Sequence, residues 1–126
     1  MNATEYFLMC RRTDTEDYDG VLNRLNSREV LELLHSNMGL VTEVGELMDA
    51  LKKWAIYGRE MDRANVVEEV GDILWYISLA LKAVDSDFED AMERNINKLT
   101  VRYPNKFTEE KALNRNLEEE RKVLEK

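Results

Sequence analysis

Two short acidic segments share one pattern and could supply the ligands of a metal ion. Glu43-Val-Gly-Glu46 is followed, after 22 intervening residues, by Glu69-Val-Gly-Asp72. Residues three apart are neighbours on a helix, so each segment presents a pair of carboxylates. Oxygen ligands of this kind favour hard cations such as Mg²⁺, Mn²⁺ or Ca²⁺ over Zn²⁺. If the two helices pack together, the pattern predicts that four carboxylates converge.

Converging carboxylates need a counter-charge. Two like charges about 4 Å apart repel by roughly 4 kcal/mol at an effective dielectric constant of about 20. A divalent cation would remove that repulsion. The spacing alone leaves a second interpretation open, in which an amphipathic helix with acidic edges has been duplicated in a chain rich in Glu.

Both acidic segments lie within apolar stripes of helical spacing. With Val44 and Val70 at the stripe centres, the acids fall on the flank of each buried face, at about 100° per residue. Gly45 and Gly71 each cost about 1 kcal/mol relative to Ala, so we expect them to allow a close approach between the helices. The two stripes are Val30, Leu33, Leu34, Leu40, Val44, Leu47, Met48 and Leu51, then Val66, Val70, Ile73, Leu74, Ile77 and Leu81.

Capping patterns predict an all-α chain with central antiparallel helices. We expect a single domain at 1–126, with a core at about 27–104, an N-terminal helix and arm at 1–26 and a C-terminal helix at 108–126. A helix is predicted at 3–12, capped by Asn2, and a polar loop or arm follows at 13–26. The first acidic helix is predicted to start at Asn26 and to stop at Gly58, with a break or bend at 37–39, and the second to start at Asp62 or Asn65. A further helix is predicted from Ser86 to Pro104, and a last one from Thr108.

Composition limits the classes of function. The net charge of −8 argues against a nucleic-acid polymer as partner, because such proteins usually carry a basic face. The chain contains no run of about 18 apolar residues, so we expect no membrane span. The N-terminal residues lack the layout of a signal peptide. Cys10 is the single cysteine and cannot form an internal disulfide. We therefore expect a cytoplasmic protein.

Around the acidic motifs, the chain resembles the MazG-like nucleotide pyrophosphohydrolases of the all-α NTP pyrophosphatase superfamily, especially the compact members frequent in bacteriophage genomes. The resemblance covers roughly 27–121 and rests on "LLHSNMGLVTEVGELMDALKK", "VVEEVGDILWYISLA" and "NINKLTVRYPNKFTEEKALNRNLEEER". Thr42 stands where many relatives have a second Glu, which puts one outer contact in doubt, whereas Glu68 keeps the double acid of the second motif.

The resemblance implies an Mg²⁺-dependent hydrolase, with Mn²⁺ as a possible substitute. Such an enzyme cleaves a nucleoside or deoxynucleoside triphosphate between the α- and β-phosphates to a monophosphate and diphosphate, for sanitation or control of the nucleotide pool. It would act in the host cytoplasm if a phage encodes the protein. The implied metal ligands are Glu43, Glu46, Glu69 and Asp72, and Glu46 is our choice for the carboxylate that takes a proton from the attacking water.

Six further residues are candidates for substrate binding. Asn95, Lys98 and Arg102 form one polar stripe that could donate to phosphate, although a solvated helix face would look the same. Lys53 lies on the flank of Glu46, and His35 is the single histidine; a surface lysine and a structural histidine are their alternatives. Tyr76 follows Asp72 by one turn and could contact the nucleotide or lie at an interface.

Three alternatives to a general triphosphate hydrolase stay open: hydrolysis restricted to ppGpp, hydrolysis restricted to dUTP or dCTP, and a helical interaction protein without turnover. Trp54, Tyr57, Met61 and Trp75 give the chain more apolar surface than a small acidic monomer is expected to expose. Two copies would complete a four-helix bundle, with the C-terminal helix lying across the neighbour. Relatives form dimers or dimer-based tetramers, so we expect at least a homodimer.

Overall fold

The structure, a computed structural model, describes residues 1–125. Within that range the chain forms helices and no strand, which confirms the all-α prediction. Among these residues no helix combines the length and the apolar character that a membrane span requires. The helices are α1 (Ala3–Arg11), α2 (Tyr18–Leu25), α3 (Arg28–Ala55), α4 (Arg63–Ala83), α5 (Phe88–Arg102), α6 (Glu109–Leu113) and α7 (Leu117–Leu124).

Helices α3 and α4 form the main packed pair and carry both acidic motifs. They are antiparallel, joined by a short loop in which Gly58 has a φ of +65°, a conformation that glycine adopts without strain. The side chain of Asp62 caps α4 by accepting from the Asn65 backbone N–H at 3.0 Å. A break or bend was expected at 37–39; α3 continues through that segment without a break.

Among the glycines of α3 and α4, Gly39 is the one packed against the other helix, whereas the glycines of the acidic motifs are not. Ser36 and Gly39 are buried, and a Cβ at position 39 would overlap the ring of Tyr76. A Cβ at Gly45 or Gly71 would meet nothing within 4 Å. The prediction that these two glycines bring α3 and α4 together was therefore wrong. Gly39 lies one turn before Glu43, on the side of α3 that faces α4.

Replacing Gly39 by Ala is expected to lower the free energy of unfolding by about 1–3 kcal/mol, because the added methyl overpacks the contact with Tyr76. The matched control is Gly71→Ala, which has free space and should gain about 0.5–1 kcal/mol from the higher helix propensity of Ala. Urea unfolding monitored by circular dichroism measures both. Equal effects of the two substitutions would contradict the close approach at Gly39.

Helix α7 docks on α5 of the same chain. The guanidinium of Arg102 donates to both carboxylate oxygens of Glu120, at 2.8 and 2.6 Å, and Arg115 adds a bond of 2.7 Å. Glu120 is 3% exposed, and Arg94 donates to the Leu124 carbonyl at 2.6 Å. The predicted single last helix is thus two helices, and α7 packs on α5 of its own chain; its contact with a neighbouring subunit stays a prediction.

Glu120→Gln is expected to lower the melting temperature at pH 7 by at least about 5 °C, because it removes the buried charge that Arg102 and Arg115 share. Hydrogen bonds from those arginines lower the pKa of Glu120 to about 2. A carboxyl with a lowered pKa stabilises the fold above its unfolded-state value, about 4.3, and that contribution is lost as pH falls toward the folded-state value.

The difference in melting temperature between Glu120→Gln and the wild type should therefore shrink between about pH 4.3 and 2. Thermal melts over that range measure it. Glu118→Gln is the control, because Glu118 lies on the same helix, is exposed and, among the described residues, forms an ion pair only with Lys122. If the difference in melting temperature stays constant down to pH 2, the pairing of Glu120 with the arginines is not its cause.

Residues 13–26 were expected to form a loop or arm, and this prediction was wrong for α2. Asp17 caps that helix by accepting from the Gly20 backbone N–H at 2.9 Å, while Val21 and Leu25 are partly buried where α2 contacts α3. The first helix follows its prediction. Asn2 and Glu5 form the expected reciprocal capping box at the start of α1.

No hydrophobic side chain of residues 1–125 is buried in the single chain. Val44 and Val70 were expected at the centres of buried stripes, but they are exposed. They belong instead to two rows of exposed apolar side chains, one on α3 and one on α4, which together are called the open apolar face below. On each helix the row lies roughly 140° from the acids that face the other helix, in the same rotational sense. Its members are Leu34, Met38, Val41, Val44 and Met48 of α3 and Val67, Val70 and Leu74 of α4.

Candidate metal centre

Three carboxylates converge between α3 and α4. Each of Glu43, Glu69 and Asp72 offers one oxygen, and these oxygens lie within 4.8 Å of one another. Glu69 is 6% exposed and accepts a hydrogen bond of 2.7 Å from the Asn65 side-chain amide, which leaves its second oxygen free to face the cluster. Helical spacing alone puts Glu69 and Asp72 side by side, whereas Glu43 joins them through the packing of the two helices.

The cluster carries negative charge that no cationic side chain of the described residues pairs with. Burial raises the pKa of the Glu43 carboxyl, and the charges of Glu46, Asp72 and Glu69 raise it further. Among the described residues, no lysine or arginine forms an ion pair with any of these four acids. An all-oxygen donor set with uncompensated charge fits a hard divalent cation.

Glu46 stands beside the cluster and lines a cavity of about 330 Å³. Lys53 lies in the same cavity and forms an ion pair of 2.7 Å with Asp49. Asp49 and Asn65 were not predicted as site residues. Asn65 precedes Glu69 by one turn, but its position suggested a helix cap and concealed the side-chain contact. The cavity lining is Thr42, Gly45, Glu46, Asp49, Lys53, Asn65 and Glu69.

Tyr76 and His35 lie on the other side of the cluster along the same helix pair. The Tyr76 ring packs on Gly39 and meets His35 edge-on, with ring centroids 6.0 Å apart. Trp75 meets Tyr76 in the same manner at 4.8 Å. His35 and Trp75 line a second cavity of about 290 Å³ with Glu32, Leu79 and Lys82. Trp75 was expected in a core or subunit interface, so its place in a cavity was not predicted.

Asn95, Lys98 and Arg102 are not brought to the acids within one chain. Asn95 and Lys98 line a cavity of about 460 Å³ that includes Leu81, and Leu81 lies nine residues beyond Asp72, about 14 Å along α4. Arg102 is held by Glu120. Their proposed contacts with substrate stay predictions, which for Asn95 and Lys98 would require a second chain or a substrate that spans this distance.

Comparison with known proteins gives two matches. The model of the MazG nucleotide pyrophosphohydrolase domain matches residues 32–107, which include all four acids. The "Gene 37 protein" of Mycobacterium phage L5 is 32% identical over 77 residues, a stretch that covers 56% of this chain and 65% of that protein. This chain thus spans less than two thirds of that relative's length. No solved structure gives a significant match.

Proposed function

The chain belongs to the MazG nucleotide pyrophosphohydrolase family, and on that premise we propose that it hydrolyses nucleoside or deoxynucleoside triphosphates to a monophosphate and diphosphate with a divalent cation. The observation that carries this proposal is the convergence of Glu43, Glu69 and Asp72 within 4.8 Å. Water attack at the α–β phosphoanhydride would develop negative charge on the phosphate oxygens, and a cation held by these acids would neutralise that charge.

Glu43, Glu69 and Asp72 would hold the cation, and their oxygen ligands favour Mg²⁺, with Mn²⁺ as a substitute. A cation bound here would neutralise charge on the phosphate oxygens and lower the pKa of a bound water. Glu46 is next to these ligands and has no ion-pair partner among the described residues. Its carboxylate can accept a proton from the attacking water, which is the role of a general base.

The chain's own residues would also bind and orient the substrate. Lys53 lines the cavity beside Glu46. Its ammonium can donate to a phosphate oxygen when its ion pair with Asp49 breaks. Tyr76 lies one turn from Asp72 and fixes the width of the helix pair at Gly39. Thr42 lines the cavity with Glu46 but donates its hydroxyl to the Gly39 carbonyl at 2.7 Å.

Diphosphate release from a panel of triphosphates, with Mg²⁺ and then with EDTA, tests the proposal. We expect turnover that requires the cation. Turnover of ppGpp alone, or of dUTP or dCTP alone, would select one of the restricted activities. A chain that hydrolyses none of these substrates, with Mg²⁺ or Mn²⁺, would be the non-catalytic interaction protein.

We further propose that the active form is at least a homodimer, or a tetramer, in which a second copy covers the open apolar face. The support is the lack of any buried hydrophobic side chain in one described chain, because a stable fold needs such burial. Cys10 is free and exposed, which suits a reducing compartment. We therefore place the activity in the cytoplasm, that of the host if a phage encodes the protein.

A further inference from the structure

The cavity lined by His35 and Trp75 has the composition of a site for a flat aromatic ligand. It measures about 290 Å³, and its walls are the Trp75 and His35 rings and Leu79. Trp75 is 53% exposed, so a face of the indole is open to a ligand, while its contact with Tyr76 holds the ring in place. Aromatic side chains bind nucleobases by stacking, whatever the base.

The cavity and the acids lie along one side of the helix pair. Asp72, Trp75 and Leu79 follow one another at helical spacing on α4, and Trp75 lies about 4.5 Å beyond Asp72 along the helix axis. The cavity beside Glu46, with Lys53, lies beyond the acids in the other direction. An aromatic cavity, the carboxylates and a cavity with a cationic side chain therefore follow one another along the helix pair.

This polarity matches that of a nucleotide, whose base and phosphates lie at opposite ends. Neither the cavity beside Glu46 nor the cavity beside Lys98 is lined by an aromatic side chain. On the helical wheel, His35 and Trp75 lie about 110° around α3 and α4 from the centre of the open apolar face. A second copy on that face would leave the aromatic cavity accessible.

The rim of the cavity carries one acceptor and one donor. Glu32 accepts from the Arg28 guanidinium through one oxygen, at 2.8 Å, which leaves its other oxygen free. The hydrogen bond from Arg28 is the main cause that lowers the pKa of Glu32, and the Lys82 ammonium is close enough to lower it a little further. Carboxylates accept from the exocyclic amino groups of bases, and lysine donates to their carbonyl oxygens and ring nitrogens.

We propose that this cavity binds the nucleobase of the substrate and selects bases that carry an exocyclic amino group, namely cytosine, adenine and guanine. The inference rests on the proposed function and extends it to substrate class. Trp75 stacks on the base, Glu32 accepts from the amino group, and Lys82 donates to an adjacent acceptor. Uracil and thymine present two carbonyl oxygens around a single N–H, so they would set an acceptor against the Glu32 carboxylate.

The kinetic test compares kcat/KM for dCTP, dATP and dGTP with that for dUTP and dTTP. We expect at least a 10-fold preference for the amino-bearing bases in the wild-type protein. Glu32→Gln should reduce that preference at least 5-fold. The matched control is Arg28→Gln, which removes the same ion pair but keeps the Glu32 acceptor, and it should retain the preference. A preference that is absent from the wild type, or equal in both variants, would overturn the assignment of Glu32.

The stacking role is tested by Trp75→Ala, which should raise KM about 10-fold or more with a smaller change in kcat, since stacking contributes mainly to binding. Trp75→Phe keeps an aromatic face and should recover most of the loss. It also covers the case in which the alanine variant fails to fold. Wild-type KM values in a folded Trp75→Ala protein would overturn the stacking role.

Binding can be measured without turnover. In Trp54→Phe, Trp75 is the single tryptophan of the chain, and we expect dCMP without divalent cation to quench its fluorescence saturably and more strongly than dTMP does. This readout separates the two proposals. Quenching without hydrolysis of any triphosphate would support the base site and contradict the proposed function, whereas hydrolysis without quenching would contradict the base site alone.

Discussion

Replacing Asp72 by Asn is expected to lower kcat/KM for triphosphate hydrolysis at least about a thousandfold, which corresponds to roughly 4 kcal/mol of transition-state stabilisation. The substitution removes one of the three charged ligands that converge within 4.8 Å, and a cation there would supply several kcal/mol of charge stabilisation. Diphosphate release in saturating Mg²⁺ measures the loss.

A binding readout separates loss of the cation from loss of chemistry. Mg²⁺ or Mn²⁺ should raise the melting temperature of the wild type, because an ion that binds only the folded state stabilises it by mass action. Asp72→Asn should lose that increase. Glu46→Gln should also lose turnover, but it should keep the increase if Glu46 acts as the base and not as a ligand. Wild-type activity in both variants would refute the metal assignment.

The metal-free protein gives a third measurement at the same site. A carboxyl whose pKa is raised by folding, as burial and the neighbouring acids do for Glu43, favours the fold while protonated. That contribution is lost as pH rises above the ordinary Glu pKa, about 4.3, and through the folded-state value, which is higher. Glu43→Gln should therefore stabilise the metal-free protein at pH 7 relative to the wild type, and this gain should vanish when Mg²⁺ saturates the wild type.

Placing a charge on the open apolar face is expected to reduce the assembly to a monomer of 14.8 kDa and to lower its melting temperature sharply. Val44→Asp and Val70→Asp are the test substitutions, because Val44 and Val70 lie on the two halves of the face and are exposed in one chain. A buried, unpaired carboxylate in the interface would cost several kcal/mol. Light scattering across micromolar concentrations measures the mass.

The control for this experiment is Leu113→Asp. Leu113 is 83% exposed and belongs to α6, which contributes no residue to the open apolar face, so its substitution should leave both mass and stability close to the wild type. If the wild-type chain is itself a fully active monomer of 14.8 kDa at micromolar concentration, the proposed assembly is wrong.

The sequence predicted that four carboxylates converge, and three of them, Glu43, Glu69 and Asp72, bring oxygens within 4.8 Å of one another. The rotation of their helices did not follow from the sequence. Glu69 and Asp72 are three residues apart and are therefore neighbours on any helix. The doubled motif suggested that Glu43 would join them. Which side of α3 faces α4 depends on contacts between the helices. The small residue at Gly39 decides it by admitting Tyr76, whereas hydropathy favoured Val44 and Val70 as the buried centres.

Two further differences between the prediction and the structure concern α2 and Arg102. The cap that Asp17 provides for α2 was present in the sequence, but the polar composition of 13–26 concealed it. Arg102 was read as a phosphate ligand because it continues a polar stripe with Lys98. Its partner Glu120 lies 18 residues away, and nothing in the spacing distinguishes that carboxylate from its exposed neighbours on α7.

The grouping of the helices into two pairs has a consequence for hydrogen exchange. Helices α3 and α4 pack on each other, α5 packs on α7, and only a few contacts join α4 to α5. Segments that share few contacts open as separate cooperative units. Backbone amides of α5 and α7 should therefore exchange with one common opening free energy, set by the Arg102–Glu120 contact. Those of α3 and α4 should exchange with another, which responds to added Mg²⁺ because the carboxylate cluster lies within that pair.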